Sequence, residues 1–353
     1  MAGPTTIRRR PSIEACAITT VPQRAPRHQG SSASANSVSL YPTHWESIDS
    51  SGNRRRIYSV AGIVDTAGMM TPSAAHTAIQ AAPPDIAVSE LATLVEQQFG
   101  LVGDYRPLVS ERDQNFHLTA SSGDEYVVKV TSSAEPSVVS EFQIAALLHL
   151  EESEIMVPRV IKTRDGQTSG KASAGDEDYK LRLMSFLPGD LLAAVSLDRE
   201  LVGNFGEQLA QLHAALESFT HPGENPVLLW DLRRAGELRG LLQYIDDSAT
   251  RRRVEKALDD YESVVVPGLG ALRTQVIHGD ANPGNVLVDP TSHRVAGFID
   301  FGDMVRAPLV FDVAIAAAYL RGPDDDPMRW IRPFVAGYCG AAPLPATESR
   351  LLF

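Results

Sequence analysis

The sequence contains few cysteines, no excess of basic residues and no long apolar run. Cys16 and Cys339 are the only two cysteines, which excludes a disulfide framework and indicates a reducing compartment, so we expect a cytoplasmic protein. The 32 basic residues are outnumbered by 44 acidic ones, and the net charge of −12 argues against nucleic-acid and anionic-membrane partners. No run of about eighteen apolar residues occurs, so no membrane span is expected.

The beginning of the chain lacks the hydrophobic periodicity of a folded domain. Residues 1–56 are rich in Ser, Pro, Thr and Arg, a composition typical of disordered segments. We therefore predict that residues 1–86 are an N-terminal extension that is either disordered or not part of the natural protein, which would then start near Met70. The apolar content of 43% is still sufficient for a sizeable core in the remaining residues.

Two polar motifs in the C-terminal third predict the chemistry. One is HGD at 278–280 followed by Asn285, and the other is DFG at 300–302. Their order and spacing match the H-R-D-x-x-x-x-N catalytic loop and the D-F-G motif of protein kinases. In that arrangement Asp280 accepts the proton of the attacking hydroxyl, while Asn285 and Asp300 hold Mg²⁺. The motifs thus predict Asp280 and Asn285 as catalytic residues and Asn285 and Asp300 as metal ligands.

The segment between the two motifs predicts a β-hairpin. Residues 286–290 and 295–299 are short apolar runs, and the first ends in an Asp-Pro turn signal. A hairpin would carry Asn285 at its start and Asp300 at its end, so both side chains would reach one metal ion.

Residues 87–188 have the pattern of a kinase N-lobe, with a helix at 88–99, several strands and a Gly/Ser/Asp loop at 166–178. Lys129 lies late in an alternating strand, as does the kinase lysine that binds the α- and β-phosphates. We expect Glu141, in the following amphipathic helix, to fix Lys129 through a salt bridge, with Glu135 as the weaker candidate.

The nucleotide-binding segments leave the donor open between ATP and GTP. The turn at 110–115 lacks the G-x-G-x-x-G of protein kinases, so we expect the Ser110 hydroxyl and backbone N–H groups to bind phosphate, with Asp113 facing away. The strand at 179–186 is interpreted as the one that leads into the hinge. Backbone groups near Ser185 and Phe186 are expected to bind the base.

Residues 189–353 are predicted to form a mainly helical C-lobe, with helices at 201–219 and 309–320. His213 lies beside the apolar stripe of the first helix and is interpreted as a packed residue rather than a catalytic one. Residues 349–353 resemble the beginning of a helix, so we expect the C-lobe to be truncated at its C-terminus.

The two motifs resemble those of the aminoglycoside phosphotransferase and choline kinase superfamily, the small-molecule relatives of protein kinases. Its members typically have H-G-D-x-x-x-x-N and I-D-F/W, which correspond to residues 278–285 and 299–301. The resemblance implies an α+β, two-lobed protein-kinase-like fold with a small antiparallel β N-lobe and a mainly helical C-lobe. It also implies transfer of a phosphoryl group from ATP or GTP, with Mg²⁺, to a hydroxyl group.

A narrower similarity, to hydroxylysine kinase, covers residues 91–353 and is carried by LRLMSFLPG at 181–189, WDL at 230–232 and FGDM at 301–304. It implies 5-hydroxylysine as acceptor and GTP as donor. This subgroup includes phosphotransferase domains found beside class III aminotransferases, which implies a functional association with such an enzyme. Homoserine, aminoglycoside and choline or ethanolamine kinases remain alternatives, as does a catalytically inactive kinase-like binding protein.

An acceptor that is an amino acid with a side-chain amine requires both acidic and basic partners. Asp303, Asp231 and Asp312 are the acidic candidates and Arg306 is the basic one. Each has a structural interpretation of at least equal weight, such as helix N-capping by Asp312.

Overall fold

The computed structural model describes residues 44–48, 54–58 and 83–352, except residues 111, 175–176, 229 and 324. Strands β1 (His44–Ile48) and β2 (Arg54–Tyr58) pair in an antiparallel hairpin. This hairpin falls within the predicted N-terminal extension, whose other residues before 83 lie outside the described residues. The assignment of residues 1–86 therefore stays a prediction, as do the lobe boundaries at 87–188 and 189–353.

The N-lobe is a six-stranded antiparallel sheet with two helices. The sheet order is β3-β4-β5-β8-β6, and β7 also pairs with β8. Helix α1 precedes β3, and helix α2 follows β5. The bounds of these elements are α1 Val88–Phe99, β3 Gly103–Leu108, β4 Gln114–Ala120, β5 Glu125–Thr131, α2 Ser137–Leu150, β6 Val160–Ile161, β7 Gly170–Ala174 and β8 Glu177–Ser185.

Alternation along β5 sets the direction of the predicted phosphate-binding lysine. Val128 and Val130 are fully buried in the N-lobe core, together with Leu91 and Val95 of α1. Because successive strand residues point to opposite faces, Lys129 faces away from that core. The sequence prediction of a loop at 166–178 missed β7. Its small polar residues carry little strand signal, and β7 is a strand because it pairs with β8.

The C-lobe is mainly helical and includes two small sheets. Strands β12-β11-β9 form one sheet and β10-β13 form the other. The regular elements are β9 Asp190–Leu191, α3 Arg199–Leu216, α4 Ser248–Asp260, β10 Thr274–Ile277, β11 Val286–Asp289, β12 Arg294–Phe298, β13 Val305–Pro308, α5 Leu309–Tyr319, α6 Ile331–Ala341 and α7 Ala346–Ser349. Short 3₁₀ or π segments cover Leu192–Ala194, Leu232–Tyr244, Tyr261–Val265, Val266–Ala271 and Phe301–Asp303.

The C-lobe core packs against the segments that carry the two motifs. Leu209, Leu212 and Leu216 of α3 lie in the same buried cluster as Phe298, which shortly precedes the second motif, and Phe301, which belongs to it. The predicted hairpin is confirmed, since β11 and β12 pair antiparallel. The α+β, two-lobed fold is therefore confirmed as well. In the part of the chain that the structure describes, no helix has the length and apolarity needed to cross a membrane.

Candidate active site

The side chain of Asp280 is held by two amides of its own loop. Asn282 Nδ2 donates to Asp280 Oδ1 at 2.8 Å, and Asn285 Nδ2 donates to Oδ2 at 2.8 Å. Asn285 Nδ2 also donates to the backbone carbonyl of Asp280 at 2.9 Å. A carboxylate accepting from two fixed donors has a defined direction, which a general base needs.

The two motifs are joined by His278 and the backbone of Ile299. His278 is completely buried, and its Nδ1 accepts the N–H of Asp280 at 3.3 Å, which assigns the ring proton to Nε2. Nε2 then donates to the Ile299 carbonyl at 3.0 Å. The N–H of Ile299 donates to the carbonyl of Asn285 at 2.9 Å. These bonds bring Asp300, the next residue, to the catalytic loop.

Asp300 and Asn285 present oxygen atoms suited to a hard cation. Asp300 is exposed and has a left-handed backbone (φ 59°), a strained conformation that is common at functional sites. Both hydrogen bonds of the Asn285 amide nitrogen are to oxygens of Asp280, so its Oδ1 is oriented the other way. One carboxylate and one amide oxygen are a chemically suitable pair for Mg²⁺, which takes its other ligands from phosphates and water.

Within the described ranges, no three His, Cys, Asp or Glu side chains form a metal-binding group. Metal binding by Asn285 and Asp300 stays a prediction.

The electrostatic environment of Asp280 suits proton transfer. Burial raises its pKa, and the negative charges of Asp303 and Asp300 raise it further, while the Asn282 hydrogen bond and His278 act in the opposite direction. The result is a pKa of about 6, raised from the ordinary value of 3.8. A base whose pKa lies near neutrality is well matched to accepting a hydroxyl proton.

Asp312 is a support for the catalytic loop and not an acceptor-binding residue. It is fully buried, and it accepts the N–H groups of His278 and Gly279 at 3.0 Å each. His213 Nε2 donates to Asp312 at 2.9 Å, and the His213 Nδ1 lies 2.7 Å from the Tyr338 hydroxyl. Burial alone would raise the pKa of Asp312, but His213 and the backbone donor outweigh it and lower the pKa.

This arrangement bears on two residues of the sequence analysis. Asp312 was a candidate for contact with the acceptor, with a structural role given at least equal weight, and its lack of exposed surface excludes that contact. His213 was interpreted as a packed helix residue, and it is buried, but it also holds the loop support in place. Its signal in the sequence is a histidine beside an apolar helical stripe, which does not reveal a partner 99 residues away.

Lys129 has a different partner from the one predicted. Its Nζ lies 2.7 Å from Asp113 Oδ2, and both side chains are largely buried. Glu141 is exposed, because helix α2 turns its neighbours Phe142 and Gln143 toward the interior. Burial opposes ionisation of Asp113, but the charge of Lys129 and the Ser132 N–H outweigh it and lower the Asp113 pKa. Asp113 therefore neutralises the predicted phosphate anchor.

Glu135 is not the partner of Lys129 in the structure either. It accepts hydrogen bonds from Ser140 Oγ at 2.6 Å and Gln143 Nε2 at 3.4 Å. Gln143 was not identified from the sequence, yet it links helix α2 to the second motif. Its Nε2 donates to the Gly302 carbonyl at 3.2 Å, and its Oε1 accepts from the buried Arg182 at 2.7 Å.

The three remaining nucleotide-binding candidates lie at the predicted loop and hinge. Ser110 Oγ accepts the N–H of Asp113 at 3.2 Å and so shapes the loop. Ser185 Oγ accepts the N–H of Arg159 at 2.9 Å. The N–H of Phe186 donates to the Glu125 carbonyl at 3.0 Å, so a base at this hinge would use other backbone groups. Their nucleotide-binding roles stay predictions.

Asp231 and Arg306 have structural partners. The Asp231 carboxylate accepts from the Nε and Nη2 atoms of Arg233, at 2.6–3.1 Å, and from the Arg233 backbone N–H at 2.9 Å. Arg306 donates to Glu224 at 2.6 Å and to the carbonyls of Phe219 and Thr274 at 3.2 and 3.4 Å. The charges of Asp231 and Arg306 are therefore already paired within the protein, and neither residue requires an acceptor as its partner.

Asp303 is the acidic candidate that lies at the site. Its side chain is 18% exposed and pairs with Arg112 Nη2 at 2.8 Å. Burial raises the pKa of Asp303, and Arg112 acts in the opposite direction. A recess beside it is lined by Trp230, Gly279, Phe311 and Ile315, among other residues. Asp303 is therefore the predicted acceptor residue that the structure brings next to the catalytic loop.

Comparison with known proteins agrees with this geometry. The model of the phosphotransferase enzyme family matches residues 104–351. Hydroxylysine kinase of Mus musculus is 30% identical over 311 residues, 80% of this chain and 82% of that protein. Homoserine kinase of Neisseria meningitidis is 26% identical over 245 residues, 67% and 73% of the two chains. The structure of a microcompartment-associated aminopropanol kinase shares the fold, with a TM-score of 0.63 and 20% identity over 75% of this chain and 84% of that one. The chain therefore belongs to the phosphotransferase enzyme family.

Proposed function

We propose that this protein is a small-molecule kinase that transfers the γ-phosphoryl group of ATP or GTP to a hydroxyl of an amine-bearing metabolite, with 5-hydroxylysine as the preferred acceptor. The observation that carries the proposal is the Asp280 carboxylate, oriented by Asn282 and Asn285 and connected through Ile299 to Asp300. The similarity to hydroxylysine kinase over most of both chains supports the acceptor.

The chemistry follows from what each side chain can do. Asp280 accepts the proton of the acceptor hydroxyl while the hydroxyl oxygen bonds to the γ-phosphorus. The bond from that phosphorus to the β,γ-bridging oxygen breaks, and the nucleoside diphosphate leaves. Lys129 would exchange its bond with Asp113 for bonds with nucleotide phosphates. A Mg²⁺ ion held by Asn285 and Asp300 would supply positive charge to the phosphate oxygens. Asp280 and Lys129 would then hold the acceptor and the nucleotide in line, and such positioning accounts for much of catalysis in phosphoryl transfer.

The proposal is tested by a coupled nucleotide-consumption assay with Mg²⁺ and either ATP or GTP. The acceptors are 5-hydroxylysine, homoserine, choline, ethanolamine and an aminoglycoside. We expect acceptor-dependent turnover that is fastest with 5-hydroxylysine. Turnover confined to another acceptor would replace the substrate, and magnesium-dependent nucleotide binding without any turnover would favour an inactive binding protein.

A matched pair of variants tests the role of the base. Asp280→Asn should lose most of the phosphoryl transfer, by a factor of about 10² or more, while nucleotide affinity is retained. Asp246→Asn, at an exposed position, is the control and should keep full activity. Two further predictions go with the function. They are a cytoplasmic location and a functional association with a class III aminotransferase.

A further inference from the structure

Three residues from distant parts of the chain meet at the edge of the candidate active site. Arg112 lies in the loop between β3 and β4, Trp230 precedes the 3₁₀ segment Leu232–Tyr244, and Asp303 follows the second motif. Arg112 Nη2 donates to Asp303 Oδ1 at 2.8 Å, and its Cζ lies 5.1 Å from the centre of the Trp230 ring. The guanidinium is thus held by a carboxylate and by an aromatic ring.

A carboxylate and an indole ring in this arrangement are suited to bind an organic cation other than Arg112. A carboxylate and an indole face both attract a positive charge, and the attraction strengthens where water is partly excluded. The Asp303 side chain is 18% exposed, whereas Trp230 is 42% exposed. The Trp230 ring is therefore the more accessible of the two groups, and the Asp303 carboxylate is the more buried one.

Asp303 is the fixed part of this cluster, and Arg112 is the part that could be exchanged for another cation. The Asp303 backbone packs so tightly on the catalytic loop that a Cβ on Gly279 would lie 2.1 Å from its carbonyl oxygen. Arg112 instead belongs to an N-lobe loop, and its side chain is 32% exposed. Rotation of the Arg112 side chain would then free the Asp303 carboxylate, while the Asp303 backbone stays against Gly279.

The location restricts which amine could replace the guanidinium. The Asp303 backbone lies against Gly279, the residue that precedes Asp280 in the catalytic loop. An acceptor whose hydroxyl is at Asp280 would place an ammonium near Asp303 if that ammonium is on the neighbouring carbon. Vicinal amino alcohols have this geometry, and 5-hydroxylysine is one of them.

The negative charge of nucleotide phosphates would drive the departure of Arg112 from Asp303. Two cations at the phosphate-binding loop are paired with carboxylates, Arg112 with Asp303 and Lys129 with Asp113. The phosphates of a nucleoside triphosphate carry several negative charges and bind arginine strongly. Nucleotide binding would then draw Arg112 away from Asp303.

We infer that Trp230 and Asp303 form the subsite for the acceptor's ammonium group, and that Arg112 fills this subsite until the nucleotide phosphates draw it away. The inference rests on the proposed function, because it assigns the acceptor a cation next to the phosphorylated hydroxyl. It makes the binding of the two substrates cooperative, with the nucleotide exposing the acceptor site. Because coupling is reciprocal, each substrate tightens the other by the same factor.

The first experiment is calorimetric titration of the whole protein with 5-hydroxylysine, alone and with Mg²⁺ and a non-hydrolysable ATP or GTP analogue. We expect the nucleotide analogue to tighten acceptor binding by about fivefold or more, a typical allosteric coupling. Arg112→Gln should bind the acceptor without nucleotide about as tightly as the wild type does with it. Equal coupling in Arg112→Gln and wild type would overturn the inference.

The second experiment compares an acceptor that has the amine with one that lacks it, in variants of the two subsite residues. Trp230→Leu and Asp303→Asn should raise KM for 5-hydroxylysine about fivefold or more, the range of a partly desolvated cation–π contact or charge-assisted hydrogen bond. Neither variant should change KM for 2-amino-5-hydroxyhexanoate, which lacks the amine beside the hydroxyl. An equal change for both acceptors would overturn the subsite, even if both variants remain folded and active.

The control variant removes a contact of the same type outside the proposed subsite. Arg329 lies over the Trp330 ring at 4.8 Å, so Arg329→Gln removes another arginine–tryptophan contact. It should leave the coupling between nucleotide and acceptor unchanged. Turnover of 5-hydroxylysine with none of the expected variant effects would reject the subsite alone. Turnover only of acceptors that lack an amine would reject the proposed function together with the subsite.

Discussion

The buried carboxylate of Asp312 accepts the backbone N–H of Gly279 at 3.0 Å, which attaches the catalytic loop to helix α5. The other oxygen of the same carboxylate accepts the N–H of His278, also at 3.0 Å. Because Gly279 immediately precedes Asp280, the position of the base depends on a carboxylate that no substrate can reach.

Asp312→Asn should therefore reduce both stability and turnover. The amide keeps the shape but turns an N–H toward a donor, and leaving one buried group unpaired costs about 1–3 kcal/mol in the free energy of unfolding. We expect kcat to fall at least about tenfold, because the base moves from its productive position. Urea unfolding and steady-state kinetics measure the two effects. Asp326→Asn, which removes a largely exposed ion pair with Arg332, should change neither by much.

Lys129 and Glu141 offer a direct test of the corrected ion pair. Lys129→Met should raise the nucleotide KM about tenfold to a hundredfold, since a charge-assisted hydrogen bond contributes about 1.5–3 kcal/mol. Glu141→Gln should leave the nucleotide KM unchanged, because Glu141 is exposed and Lys129 pairs with Asp113. A large effect of Glu141→Gln would instead show that helix α2 rotates to bring Glu141 to Lys129 when nucleotide binds.

Gly279 is expected to tolerate no side chain. Its φ is +82°, and an added Cβ would lie 2.1 Å from the Asp303 carbonyl oxygen. Gly279→Ala should destabilise the fold by more than the ~1–2 kcal/mol of left-handed backbone strain, because the clash adds to it, and should abolish most turnover. Gly268→Ala is the matched control, since nothing lies within 4 Å of its added Cβ. Thermal unfolding of both variants should show a loss only for Gly279→Ala.

The pH dependence of kcat/KM should report the raised pKa of Asp280. Its carboxylate is the active form, so activity is present above a pKa of about 6 and is lost as the pH falls through that value. Burial is the main cause, and the Asp303 charge adds to it. Asp303→Asn should therefore move the acidic limb to lower pH. If Asp303→Asn leaves the acidic limb of the pH profile unchanged, that limb reports the ionisation of a group other than Asp280.

The residue types and short spacings of the motifs were sufficient to predict the catalytic loop, its hairpin and the fold class. Asp280 and Asn285 are joined by bonds within one loop, and β11 and β12 are adjacent in the chain. Such contacts depend on local geometry, so the sequence pattern predicts them. The same reasoning predicted the strand that carries Lys129, because alternation alone fixes which face it presents.

The partners of the charged residues could not be predicted in the same way. Glu141 and Asp113 are both acidic residues close to Lys129 in the sequence, and the choice depends on the rotation of helix α2. The difference between a buried and an exposed aspartate, as for Asp312 and Asp300, is likewise invisible in residue type.

The sequence alone determined the catalytic loop, because a short-range motif encodes it, and the resemblance of its motifs to those of small-molecule kinases implied the two-lobed fold. Only the tertiary structure decided that Asp113 neutralises Lys129, that Asp312 and His213 support the loop, and that Arg112 reaches Asp303 from 191 residues away. Ion pairs between distant segments form where packing excludes water and brings opposite charges together, and that proximity is a property of the folded chain.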